Sequence, residues 1–124
     1  MPAVAQEFGE LGERIAERWL KRQGWRPLYR RFKSGRRDVD LVMERNGVVA
    51  FVEVKTRRGD EFGGPLAAVG WRKQRELSRS ALVWVARHGR EGEEYRFDVV
   101  GVLVKGDAVR VRHVQNAFAL HHRG

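Results

Sequence analysis

No cysteine occurs in the 124 residues, which excludes disulfides and thiolate metal sites and fits a reducing compartment. Proline appears only three times, and no linker, repeat or low-complexity tract divides the chain. One domain spanning residues 1–124 is therefore expected, long enough for a single core and too short for two. No apolar run approaches the roughly 20 residues that cross a bilayer, and no charged-then-apolar leader opens the chain. The expectation is a soluble, cytoplasmic protein without a membrane partner. Acidic charge is also scarce: 16 Asp and Glu stand against 25 Lys and Arg, a net charge of +9. Of those 25 cations, 20 are arginine, whose planar fork suits phosphate because it donates two parallel hydrogen bonds. A polyanionic partner, nucleic acid, is the first reading, and a merely solubilising surface is the second.

Hydrophobic spacing predicts a helix over 5–23 with Phe8, Leu11, Ile15, Trp19 and Leu20 on its apolar stripe, closed by Gly24. A strand over 25–32 follows, interrupted by Pro27 and so expected at a sheet edge. After the basic loop 33–37 come strands 38–45 and 48–55, the second apolar on both faces and therefore central. Pro65 is placed to open a second helix running to about His88, with Leu66, Val69, Leu77, Ala81 and Trp84 inward. Residues 95–104 and 109–114 read as a second hairpin, and 115–124 as a short amphipathic segment and loose tail. The fold class is α/β, order α-β-β-β-α-β-β, one mixed sheet flanked by helices.

Asn46-Gly47 carries the chemistry of this pattern. A two-residue Asn-Gly loop favours a type I′ turn, which sets Arg45 opposite Val48 and fixes the register outward. Asp40 then faces Glu53, and Asp38 faces Lys55, all four on one face by the period of two. Opposed carboxylates about 4.5–5.5 Å apart destabilise a sheet unless a cation lies between them. Asp40 and Glu53 with the Val54 carbonyl form a set of hard oxygen donors suited to Mg²⁺, or Mn²⁺ in its place. Lys55 is placed to orient the attacking water or offset developing charge; its alternative is a cross-strand ion pair with Asp38.

Asp40 and the run Glu53-Val54-Lys55, on a hairpin between two helices, resemble the PD-(D/E)xK nuclease superfamily. A closer resemblance, over about residues 8–100, is carried by Gly12-Glu13-x-x-Ala16-x-x-x-Leu20, Val39-Asp40-Leu41-Val42, Phe51 to Arg57, Phe62-Gly63, Lys73 and Arg96 to Val100. Together these are similar to the YraN-type family of predicted endonucleases, distantly related to Holliday-junction resolvases. The resemblance implies a restriction-endonuclease-like fold and hydrolysis of DNA phosphodiesters. With the Mg²⁺ donors above, the expectation is a Mg²⁺-dependent DNA endonuclease, with branched and single-stranded structures among its candidate substrates and a homodimer left open. Family members usually carry Gly-Glu before Ile-Asp, where this chain has Arg37-Asp38 before Val39-Asp40.

Glu13 lies at the edge of the first helix's stripe, with Glu10 and Glu17 further toward solvent. It either faces the site, as the family match favours, or is solvated. Lys73, inside the second helix's apolar stripe, either snorkels or reaches a phosphate, with Gln74 beside it. Arg31, Lys33, Arg36, Arg37, Arg57 and Arg58 flank the carboxylates in sequence and are read as a cluster of phosphate contacts. Asp98, in an apolar strand, reads as a structural acceptor. Trp25, Trp71 and Tyr29 could stack on bases, although packing is the commoner use of tryptophan. Two rivals to the enzyme remain: a nucleic-acid-binding module that keeps the fold without turnover, and a basic protein that docks on a ribosome or an acidic protein.

Overall fold

The structure, a computed structural model, describes residues 2–61 and 69–120. Helix α1 (Pro2–Arg22) leads into strands β1 (Arg26–Ser34), β2 (Arg37–Arg45) and β3 (Val48–Arg58). Helix α2 (Trp71–His88) is followed by β4 (Glu94–Lys105) and β5 (Ala108–Phe118). The five strands form one mixed sheet in the order β1-β2-β3-β4-β5. Only β3 and β4 run parallel, from Val48 beside Glu94 to Arg58 beside Val104. That pairing needs a crossover, and α2 lies within it.

Two separate cores explain why β3 is apolar on both faces. Ala16 and Leu20 of α1 pack with Leu41, Met43, Ala50, Val52, Val100 and Val102. Leu77, Ala81 and Trp84 of α2 pack with Val39, Val42, Val49, Phe51, Phe97 and Val99. A strand covered on both sides has no polar face to spare, as the sequence predicted. The stripe of α1 that goes inward is Gly12, Ala16 and Leu20, while Leu11 is exposed. Gly12 is what lets α1 approach: a Cβ there would stand 1.9 Å from Thr56 Oγ1.

Several expectations are corrected. The helix α2 begins at Trp71, with Gly70 as its N-cap. Val69 is buried against the α2 core from outside the helix, and Pro65 and Leu66 lie outside the described residues, as do Phe62 and Gly63. The last strand does not stop near Val114. It continues to Phe118, whose ring stacks on Phe97 at 4.5 Å, so the segment from Gln115 to Phe118 is sheet rather than tail. Asn116 takes a positive φ of 52° in that extension, where the β4–β5 register shifts. β1 is an edge strand as expected, starting at Arg26, with its register shift between Pro27 and Tyr29.

Candidate metal and nucleic-acid site

Asn46 and Gly47 both take positive φ, 52° and 81°, as a type I′ turn requires. The resulting register runs from Arg45 opposite Val48 to Leu41 opposite Val52, and there it ends. Beyond Leu41 the strands part. The Asp40 carboxylate fills the opening, its Oδ2 accepting the Val54 N–H at 2.8 Å. The neighbouring strand is irregular at the same level. Arg30 pairs with Leu41 and Phe32 with Val39, and Arg31 between them adopts a left-handed φ of 47°. Val39 consequently joins the core under α2 while Leu41 joins the core under α1, so simple alternation breaks at Asp40.

This break corrects one sequence inference. Asp38 does not face Lys55 across the hairpin; it is exposed and pairs with Lys33 on β1. The cause is the parting of β2 from β3 after Leu41, which a count outward from the turn does not foresee. Asp40 and Glu53, the first step past the last paired rung, do interact. Burial, the facing Glu53 charge and, more weakly, Glu13 raise the Asp40 pKa to about 8 against the opposing Val54 N–H. Glu53 is also ion-paired with Lys73 of α2. Lys55, two residues along β3 from Glu53, has its pKa lowered by burial and by the nearby Lys73 and Arg57 charges, with Glu53 acting in the opposite sense.

Glu13 is held by Arg31, whose Nε donates to it at 3.0 Å, and Arg31 also reaches Glu10 at 3.1 Å. Glu17, expected toward solvent, is instead clasped by Arg30 at 2.6 Å. These pairs line a cavity of about 710 Å³ between α1 and β1, where Arg14, Arg18, Lys21 and Arg22 add further positive charge. Among the described residues no group of three or more His, Asp or Glu side chains converges as metal ligands. Two touching carboxylates beside a backbone carbonyl nevertheless fit a hard divalent ion, because Mg²⁺ keeps most of its waters and needs few protein oxygens.

The six predicted cationic contacts do not form one cluster. Arg31 is turned to α1. Arg57 donates to the Thr56 carbonyl, and the Arg58 guanidinium lies 4.1 Å over the Phe8 ring. Lys33 is exposed on the edge strand. Arg36 and Arg37 meet α2, where Arg37 Nε donates to Glu76 at 2.7 Å. Ser80 fixes that junction: its hydroxyl lies 2.7 Å from the Ser34 carbonyl and 2.6 Å from that of Arg37, with a single proton to share. Lys73 reaches Glu53 rather than open solvent, and Gln74 donates its side-chain amide to the Val69 carbonyl at 2.7 Å. Sequence reasoning passed over Arg72, Arg75, Glu76 and Arg79, which with Arg36 line a groove of about 230 Å³. Their spacing of three and four residues on a helix was the signal.

A further buried cluster is structural. Asp98 accepts from Arg96 at 3.0 and 3.1 Å, from the Asn116 N–H at 2.9 Å, and lies 2.7 Å from His113 Nε2. Burial alone would raise its carboxyl; the His113, Asn116 and Arg96 hydrogen bonds outweigh it and hold the pKa below the usual range.

A mixed α/β sheet with an acidic pair and Lys55 at the open end of its central hairpin, met there by Lys73 of α2, defines the class, one consistent with a nuclease-like fold. The sequence profile described as "Uncharacterised protein family UPF0102" matches residues 12–102, and the chain belongs to that family. A UPF0102 protein of Trichlorobacter lovleyi is 44% identical over 97% of this chain and 98% of its own length. UPF0102 proteins of Symbiobacterium thermophilum and Alkaliphilus metalliredigens are 45% and 36% identical, each over 93% of this chain and over 98% and 100% of their own lengths. No helix among the described residues is long and apolar enough to cross a membrane.

Proposed function

We propose that this protein is a divalent-metal-dependent endonuclease that hydrolyses phosphodiester bonds in DNA, in the cytoplasm. The observation that carries the reading is the contact between Asp40 and Glu53. Two carboxylates pressed together at the end of a hairpin, one with its proton affinity strongly raised, cost stability unless a cation is bound between them. Asp40, Glu53 and the Val54 carbonyl would hold Mg²⁺ or Mn²⁺, which when bound supplies charge neutralisation at the phosphate and a more acidic water.

The chain's own residues supply the rest. Asp40 is pinned by the Val54 N–H, so its free oxygen has a fixed direction. Lys55, with its lowered proton affinity, is suited to hold the attacking water and to meet negative charge developing on the phosphorus oxygens. Attack forms one P–O bond as the opposite P–O bond breaks, and the departing oxygen takes a proton. Lys73, paired with Glu53, can exchange that carboxylate for the phosphate once a metal replaces its charge.

The Lys73–Glu53 pair also favours the second reading, a nucleic-acid-binding module without turnover, since it compensates Glu53 without any ion. The experiment that separates them is cleavage of single-stranded, duplex, flap and four-way-junction DNA with Mg²⁺ or Mn²⁺, wild type beside Glu53→Gln. Metal-dependent cleavage lost in the variant supports the enzyme. Absence of cleavage across all substrates and both metals overturns it.

A further inference from the structure

Helix α2 carries a second row of residues that the acidic site does not use. Trp71, Arg75 and Arg79 follow one another at intervals of four, which stacks them on one ridge about 6 Å apart along the axis. Arg72 stands beside them, and Arg36 comes in from the β1–β2 turn, so that four arginines and Glu76 line the groove of about 230 Å³. Glu76 is already engaged by Arg37 at 2.7 Å and by Arg72 at 3.7 Å. Among the described residues Arg36, Arg75 and Arg79 form no ion pair with a carboxylate, which leaves the groove with a surplus of positive charge. The ridge begins with an aromatic: Trp71 is 62% exposed although tryptophan usually goes inward. Lys73, two residues from Trp71 and so about 200° round the helix, points the other way, to Glu53. The ridge therefore lies on the outer face of α2, away from the carboxylate pair.

We propose that this ridge is a binding ledge for single-stranded nucleic acid, with Trp71 stacking on an unpaired base and the groove of Arg36, Arg72, Arg75 and Arg79 taking the adjacent phosphates. An aromatic face in line with guanidinium groups matches a strand whose bases are free to turn outward; a duplex keeps its base faces covered. This deepens the nuclease reading by naming the form of its substrate, and it rests on that reading only in calling the bound strand a substrate.

The test is binding without chemistry. Fluorescence anisotropy of a labelled 20-nucleotide oligothymidylate and of a 20-base-pair duplex is measured in EDTA over a range of salt, with the full chain. Trp71→Ala is expected to weaken oligothymidylate binding about five-fold or more while duplex binding changes less, and Trp71→Phe to restore most of the loss. Arg75→Gln with Arg79→Gln is expected to lower the single-strand salt slope by about 1.4, at about 0.7 per phosphate contact, and the corresponding double lysine variant to keep the slope. Equal single-strand affinity in wild type and Trp71→Ala, an unchanged slope in the glutamine variant, or no oligothymidylate binding by wild type would each overturn the ledge. Cleavage plays no part in these readings. A ledge that fails while metal-dependent cleavage persists, or holds while cleavage is absent, tells the two proposals apart.

Discussion

Asp40 Oδ2 accepts the N–H of Val54 at 2.8 Å, in the place where the next rung of the β2–β3 ladder would have been. A side chain has taken over a backbone bond, and this turns a sheet position into a ligand position.

Because the folded Asp40 pKa is raised to about 8 from 3.8, the native state holds a proton that the unfolded chain gives up. In the absence of metal its contribution to stability is full below pH 3.8, falls as pH rises, and levels off above about 8. The midpoint of thermal unfolding in EDTA is expected to fall between pH 5 and 8 in wild type and to fall less in Asp40→Asn. Equal slopes would show that Asp40 is not the titrating group.

Mn²⁺ should reverse that trend by replacing the proton. Calorimetric titration is expected to give tighter binding at pH 8 than at pH 6, with proton release, and at least a ten-fold loss of affinity in Glu53→Ala. Binding unaffected by the substitution would move the metal elsewhere.

Lys55→Ala is expected to leave oligonucleotide and Mn²⁺ affinity within a few-fold while turnover falls by roughly 10²–10³, the loss typical for one stabilising group. A pH–rate profile shifted at its alkaline limb would accompany a role in proton handling. Turnover per folded molecule near the wild-type value would remove Lys55 from the chemistry.

Gly12→Ala is expected to destabilise the fold by about 1–3 kcal/mol, since the new methyl meets Thr56 at 1.9 Å. Denaturant unfolding measures this directly. Thr56→Ala in the same chain should recover part of the loss, and strict additivity would argue against the contact.

Asp98 should matter at neutral pH and cease to matter in strong acid. Its pKa is held low by His113, Asn116 and Arg96, so its contribution is complete above the ordinary value of 3.8 and vanishes as pH falls through the lower folded value. Asp98→Asn is expected to cost about 3 kcal/mol or more at pH 7, because it leaves Arg96 and its neighbours facing a neutral amide in a buried site. The gap between variant and wild type should narrow below pH 3 in urea titrations.

What could be read from the chain alone follows the range of the forces involved. The Asn46-Gly47 turn sets register locally, so the approach of Asp40 to Glu53 was legible over a dozen residues. The two-faced burial of Val49 to Val52 was legible for the same reason. Asp38 opposite Lys55 failed because the β2–β3 pairing ends at Leu41, at the level where Arg31 on a third strand takes a positive φ, and neither is a local property of the turn. The start of α2 failed because Pro65 offers a local signal for helix entry, whereas the helix begins at Trp71 after a buried Val69 and an extended Gly70. Closeness in sequence does not make cations one patch. The fold sends Arg31 to α1 and Arg37 to α2, since each acidic partner lies on a different helix.

The Asn46-Gly47 hairpin also bears on the order in which the molecule assembles. Asp40 and Glu53 belong to neighbouring strands joined by a two-residue turn, a contact that closes on the microsecond scale with little loop entropy to overcome. The β3–β4 pairing must wait for the whole α2 crossover. The acidic pair is thus expected to be structured in the folding transition state before Lys73 arrives to offset it, so divalent ions should act mainly by accelerating refolding, with little change in unfolding.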